Sequence, residues 1–189
     1  MKSILITICT LLCLTAYSQN KNQLNRKGFV IGISAGVSNS TMFFPTKTQN
    51  NTNLALNWKI GYMIKPNLAL LLNGSVSIYS YNLSGRERKR DFGGIFPSAQ
   101  YFVSDKFWIL GGIGIGTDAP VFYDLKPENK EETKYYSGIG VISSVGYEIY
   151  HKKNFAIDMQ ARVNCSSVNL PIGKTNGFNT ALLLGITFY

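Results

Sequence analysis

Few residues of this 189-residue chain have the chemistry of a reaction centre. The one histidine, His151, is followed by Lys152-Lys153 and has no serine in its turn. A hydrolytic relay needs an imidazole beside a hydroxyl or thiol and a third group to orient it. His151 therefore reads as a solvated turn residue. Glu131-Glu132 lies between Lys130 and Lys134 and reads as a solvated rim. One histidine and one cysteine outside the leader cannot make a usual metal site, so neither metal nor other cofactor is expected.

Two groups of charges remain. Lys59, Glu148, Asp158 and Arg162 fall on the otherwise small or polar face of alternating runs. Left unpaired in a narrow interior, each would carry a heavy desolvation cost. They read as a plug of ion pairs and hydrogen bonds, with a small-solute or ion path as the sharper alternative. The second group is Arg86-Glu87-Arg88-Lys89-Arg90. Arg86, Arg88, Lys89 and Arg90 are the candidate surface-interaction residues, able to meet phosphates through charge-assisted hydrogen bonds. A solvated loop pairing with the acidic 118–132 stretch explains them equally well.

The elements that position these groups are strands. The segment 54–79 carries two runs of period-two alternation joined at Lys65-Pro66-Asn67, the pattern of a β-hairpin. The same alternation predicts strands over 27–38, 92–103, 107–116 and 134–150, and two more beginning at 155 and 178. Eight strands result. Short turns at 65–67, 104–106 and 151–154 alternate with longer loops at 39–53, 84–91, 117–133 and 171–177. Aromatic content is 13%, charge only 15%, and glycine is common at 18 residues, a composition that favours sheet over helix.

The start of the chain is a separate matter. Met1-Lys2, the apolar run from Ile4 to Leu14 and Ala16-Tyr17-Ser18 make residues 1–18 a signal peptide, with mature protein beginning at Gln19. Residues 19–26 read as a short periplasmic tail and 27–189 as the barrel domain. Leu12 stands before Cys13 where lipid modification wants a small residue, which disfavours a lipoprotein. Losing Cys9 and Cys13 leaves Cys165 alone, so no intramolecular disulfide forms. Losing Lys2 lowers the net charge of +9 by one.

Which face looks outward decides the class. A soluble lipid-carrier barrel would coat its outer face with Lys and Glu. Here the less apolar face carries Gly, Ser, Ala and Asn, which fit a narrow interior, and the apolar face is nearly free of charge. Trp58, Tyr62, Phe107, Tyr135, Tyr147 and Phe155 read as interfacial girdles. An even number of antiparallel strands of about ten residues, with short turns on one side and long loops on the other, is the transmembrane β-barrel pattern. The expected fold is all-β, an eight-stranded antiparallel up-and-down transmembrane β-barrel, with Phe96, Trp108 and Tyr79 pointing inward. Pro97 is expected at a bulge, and Cys165 as inert lipid-facing packing.

On this pattern the mature chain resembles the small outer-membrane proteins of the OmpX and OmpA-barrel type. Its Ala16-Tyr17-Ser18-Gln19 region resembles exported proteins of the Bacteroidetes group. The resemblance implies an outer-membrane location in a Gram-negative cell, periplasmic termini, and a terminal aromatic, here Tyr189, read by the barrel-assembly machinery. The apolar register Leu182, Leu184, Ile186 and Phe188 runs one residue out of phase with that terminus. Partners implied are outer-membrane lipid, lipopolysaccharide and an extracellular partner of unknown identity; nucleic acid is not expected. Barrel enzymes that act on lipid A place a His near a Ser or carboxylate, and the turn that holds His151 has no nearby Ser. The expected function is non-enzymatic display of surface loops, with a narrow channel as the alternative and a soluble lipid carrier as a weaker one.

Overall fold

The computed structural model describes residues 26–45, 48–83, 86–121, 133–170 and 173–189, and for residues 81–83 and 86–88 the backbone alone. The expected signal peptide and residues 19–25 lie outside this set. Eight strands are present: β1 (Gly28–Phe43), β2 (Thr48–Lys65), β3 (Leu68–Leu83), β4 (Arg86–Phe102), β5 (Phe107–Pro120), β6 (Tyr136–Lys152), β7 (Phe155–Leu170) and β8 (Gly173–Phe188). Each pairs antiparallel with its sequence neighbours, and β8 pairs with β1, closing the barrel. Closure leaves no backbone edge unpaired in lipid.

The stagger follows from the register. Partners run from Ile33 through Trp58, Gly74, Ile95, Ile115, Ile139, Ser167 and Asn176, and return to β1 at Phe43, ten residues along. Such a shift tilts the strands steeply, as small barrels of about 35–45° tilt require, and leaves an interior that side chains fill. Alternation then sorts the residues. Ile33 and Leu182 are 64% and 67% exposed on the outer wall, whereas Ser34 between β1's apolar residues is 3% exposed. This is the reverse of a soluble carrier, whose apolar side faces inward.

Aromatic residues ring the outer wall at the turn end. Phe29 pairs with Tyr62, Phe107 with Tyr147, and Phe155 with Phe188. Tyr101 fills the interval on β4. Trp58 is an exception to the girdle expected from sequence: it sits mid-strand on β2. Its ring lies over Gly74 on β3, where any Cβ would come within 2.0 Å of it. Trp108, inside the lumen, lies over Gly146 in the same way, 2.2 Å from a Cβ built there. These two tryptophans report on opposite faces. Bromine-labelled acyl chains are expected to quench the fluorescence of the Trp108→Phe barrel, which retains Trp58. The Trp58→Phe barrel, which retains Trp108, should be spared. Equal quenching of the two variants would contradict the face assignment.

The strands run farther than the apolar pattern does. β1 and β2 pair through Phe43↔Thr48, β3 and β4 through Leu83↔Arg86, and β7 and β8 through Leu170↔Gly173. The expected loops at 39–53, 84–91 and 171–177 are correspondingly shorter. Beyond the bilayer a ladder needs only its own N–H and C=O groups, so pairing continues through polar side chains that carry no apolar period. Strands of 14 to 18 residues exceed the 9–11 needed to cross the hydrocarbon.

Pro97 also departs from expectation. It pairs with Leu72 in register, and the β4–β5 ladder keeps the same register from Ile95↔Ile115 to Ser98↔Gly112, so there is no bulge. The register shifts occur elsewhere, between Met63 and Lys65 and between Glu148 and Tyr150. Both lie at the turn end.

Candidate functional site

The barrel interior is the most chemically organised part of the molecule. Its charges lie in four layers among the described residues, stacked from the turn end to the loop end, and three of the layers hold a cation–carboxylate pair.

At the floor, Arg26 enters from below β1. Its guanidinium lies 3.8 Å from the centre of the Phe102 ring, and its Nη2 donates to Glu148 Oε2 at 2.6 Å and to the Asp105 carbonyl. Glu148 also accepts the Tyr189 hydroxyl at 2.7 Å, and its Oε2 lies 2.8 Å from His151 Nδ1. His151 stacks on Tyr189, ring centres 5.9 Å apart, and its Nε2 is 2.9 Å from the Lys153 carbonyl. Its side chain is 4% exposed, so the expectation of a solvated turn residue is corrected. The cause is the bulge after Glu148: Ile149 and Tyr150 both face out, and position 151 returns inward opposite Ala156. Tyr189 likewise points inward, as its one-residue offset from Phe188 implies.

One layer up, Lys59 Nζ lies 3.8 Å from Asp158 Oδ2, 3.4 Å from Gln100 Oε1 and 5.0 Å from the Trp108 ring centre. Asp158 accepts from Gln160 at 2.6 Å and from Thr187 at 3.2 Å. At the waist, Arg162 reaches across the lumen to β2 and β3. It donates to the carbonyls of Leu56 (2.9 Å) and Val76 (3.3 Å) and to Ser77 Oγ (2.9 Å). Asp91 on β4 accepts the Ser77 N–H at 2.9 Å, beside the hydroxyl that Arg162 holds.

At the mouth, Arg90 Nε donates to Asp118 Oδ1, and Arg90 Nη2 donates to the carbonyls of Asp118 (3.1 Å) and Lys134 (2.9 Å). The Tyr79 hydroxyl donates to Asp118 Oδ2 at 2.7 Å. Met42, Tyr79, Phe92 and Val168 pack below it.

The four lumen charges expected from sequence thus lie in three layers, and only Lys59 and Asp158 face each other directly. Glu148 pairs with Arg26 and Arg162 with neutral acceptors. Of the surface candidates, Arg90 is corrected: it is 6% exposed and turned into the barrel. It continues the even-numbered inward face of Phe92, Gly94 and Phe96. Lys89 is half-buried, and the side chains of Arg86 and Arg88 lie outside the described residues. Sequence reasoning missed Arg26, Asp91 and Asp118. Asp118 was legible by parity alone, since it prolongs the inward series Trp108, Leu110, Gly112, Gly114, Gly116.

Chemically, the interior binds its own charges. Among the described residues His151 meets the Glu148 carboxylate, the Lys153 carbonyl and the Tyr189 ring. Among the described residues no three His, Cys, Asp or Glu side chains converge on a metal site. Inward polar atoms, including Ser38 Oγ, Asn73 Oδ1, Gln100 Nε2 and Asn179 Oδ1, are buried beside the charged layers, which marks the lumen as polar rather than a lipid cavity.

The closed barrel, with its apolar outer wall and its polar, charged interior, has the fold of the small eight-stranded outer-membrane β-barrels. No protein-family model matches the chain, and no curated protein matches it in sequence. Among solved structures it is similar to Neisserial surface protein A, at 16% identity over 85% of this chain and 96% of that one, with a TM-score of 0.57. It is also similar to Ail, the attachment invasion locus protein of Yersinia pestis, solved with the heparin analogue sucrose octasulfate. That match has 14% identity over 86% of this chain and 100% of the other, with a TM-score of 0.52.

Proposed function

We propose that this protein is a non-enzymatic barrel of a Gram-negative outer membrane that displays its long connections to the outside. Turns 65–67, 104–106 and 151–154 and both termini would lie in the periplasm. The observation that carries this reading is the filled interior. Four charged layers, the Phe102–Tyr189–His151 stack at the floor and the Arg90–Asp118–Tyr79 cluster at the mouth make a rigid plug around Lys59, Glu148, Asp158 and Arg162. Such a barrel holds its rim still, and the rim is where specificity among such proteins resides. Arg86, Arg88 and Lys89 at the start of β4 are the residues proposed to meet lipopolysaccharide phosphates or an anionic extracellular partner. The sulfated ligand seen on Ail makes a polyanion the first class to test. Insertion would depend on the barrel-assembly machinery, with Tyr189 at the terminus.

The narrow-channel reading is separated by conductance. The purified barrel in planar bilayers is expected to give no single-channel steps at physiological salt. Regular steps would overturn the plug. A soluble carrier is disfavoured by the outward apolar wall. Migration in the outer-membrane fraction with a shift between boiled and unboiled samples tests the location.

A further inference from the structure

Each corner of the turn end carries exposed lysine: Lys27 before β1, Lys65 at the β2–β3 turn, Lys106 at the β4–β5 turn, and Lys152 and Lys153 at the β6–β7 turn. Cations just below an aromatic ring are ordinary interfacial anchors. At each turn a carbonyl accepts from a later strand or the C-terminal residue: Asn67 from Phe102, Lys106 from Glu148 and Asn154 from Tyr189. Between the β2–β3 and β4–β5 turns the corner also holds a buried cation. A cleft of about 370 Å³ opens between them, lined by Arg26, Asn67, Tyr101, Val103, Ser104 and Asp105 among others. Its upper wall, Tyr101 and Val103, faces lipid; its lower wall is the two turns. Arg26 lines its inner side. The guanidinium is buried, its Nη2 serves Glu148 and the Asp105 carbonyl, and its Nε has no protein partner.

We propose that this cleft holds the headgroup of one glycerophospholipid from the leaflet on the turn side. Arg26 supplies a buried guanidinium behind the phosphodiester, and Lys65 and Lys106, next in sequence to lining residues, supply charge at its two flanks. Asp105 is the acid in the cleft, so the surrounding charge remains positive. The acyl chains would run up the outer wall past Tyr101 and Val103. A guanidinium that already spends one nitrogen on Glu148 is fixed in place, and a charge-assisted bond to a fixed donor loses little entropy. The inference rests on the membrane-embedded reading of the barrel.

The experiment is native mass spectrometry of the purified full-length barrel in detergent, titrated with phosphatidylglycerol, with uncharged diacylglycerol, and with lipid A. One phosphatidylglycerol per barrel is expected to survive at energies that strip diacylglycerol. Lys65→Gln/Lys106→Gln should weaken retention at least about ten-fold, as loss of two charged contacts implies. Lys152→Gln/Lys153→Gln, which removes equal charge at another corner, should leave it unchanged. Heat-modifiable migration of every variant shows that the barrel is closed, so loss of fold and loss of the site are read separately. Equal loss in both double variants, or no preference over diacylglycerol, would overturn the site. Lipid A retained in preference, with the same dependence on Lys65 and Lys106, would overturn the assignment to glycerophospholipid.

Discussion

Glu148→Ala is expected to cost the barrel about 3–5 kcal/mol, the usual penalty for leaving one partner of a buried ion pair behind. Glu148 is fully buried and holds Arg26, Tyr189 and His151 together. Without it the Arg26 guanidinium is a buried cation facing Phe102 with only the Asp105 carbonyl to compensate. The penalty belongs to the stranded charge rather than to the bond, so Arg26→Met/Glu148→Leu should recover most of the loss. The measurement is the urea midpoint of the folded, faster-migrating band in lipid vesicles. A single variant as stable as the unaltered protein would mean that water reaches Arg26 freely, and the floor would then not be sealed.

Asp118→Ala is the corresponding change at the mouth. It removes the carboxylate to which Arg90 Nε and the Tyr79 hydroxyl donate, and leaves a guanidinium that is 6% exposed without its counter-ion. A loss of about 3–5 kcal/mol is expected on the same grounds, with recovery in Arg90→Met/Asp118→Leu. A second readout separates local from global effects. Arg90 Nη2 holds the Lys134 carbonyl at 2.9 Å, and with the Asp118 carboxylate gone the guanidinium is held less firmly against it. Trypsin should therefore cut after Lys134 several-fold faster in membranes where the barrel still migrates as folded. Unchanged cleavage alongside unchanged stability would show that the cluster does not anchor the rim.

These two sites show where sequence reasoning reached and where it stopped. Strand number, the inward and outward faces, and the hairpin order follow from alternation alone, because a side-chain period of two leaves only one set of faces that lipid can accept. Lys59, Glu148, Asp158 and Arg162 were legible as interior charges for that reason. So was Asp118, by the same parity, although the apolar run beneath it ends at Ile115.

What alternation could not say is which charges meet. Arg26 and Glu148 are 122 positions apart, and Arg162 reaches Leu56 and Val76 on strands far from it in sequence. Those meetings depend on the ten-residue stagger, which sets the height of every strand against its neighbours and is a property of closure rather than of any one segment. The bulge after Glu148 is a second such case. One extra residue in β6 sends Tyr150 outward and His151 inward, turning an apparent solvent-facing turn residue into part of the floor. A local pattern specifies faces; only the closed ladder specifies levels, and in a lumen this narrow the level decides each charge's partner.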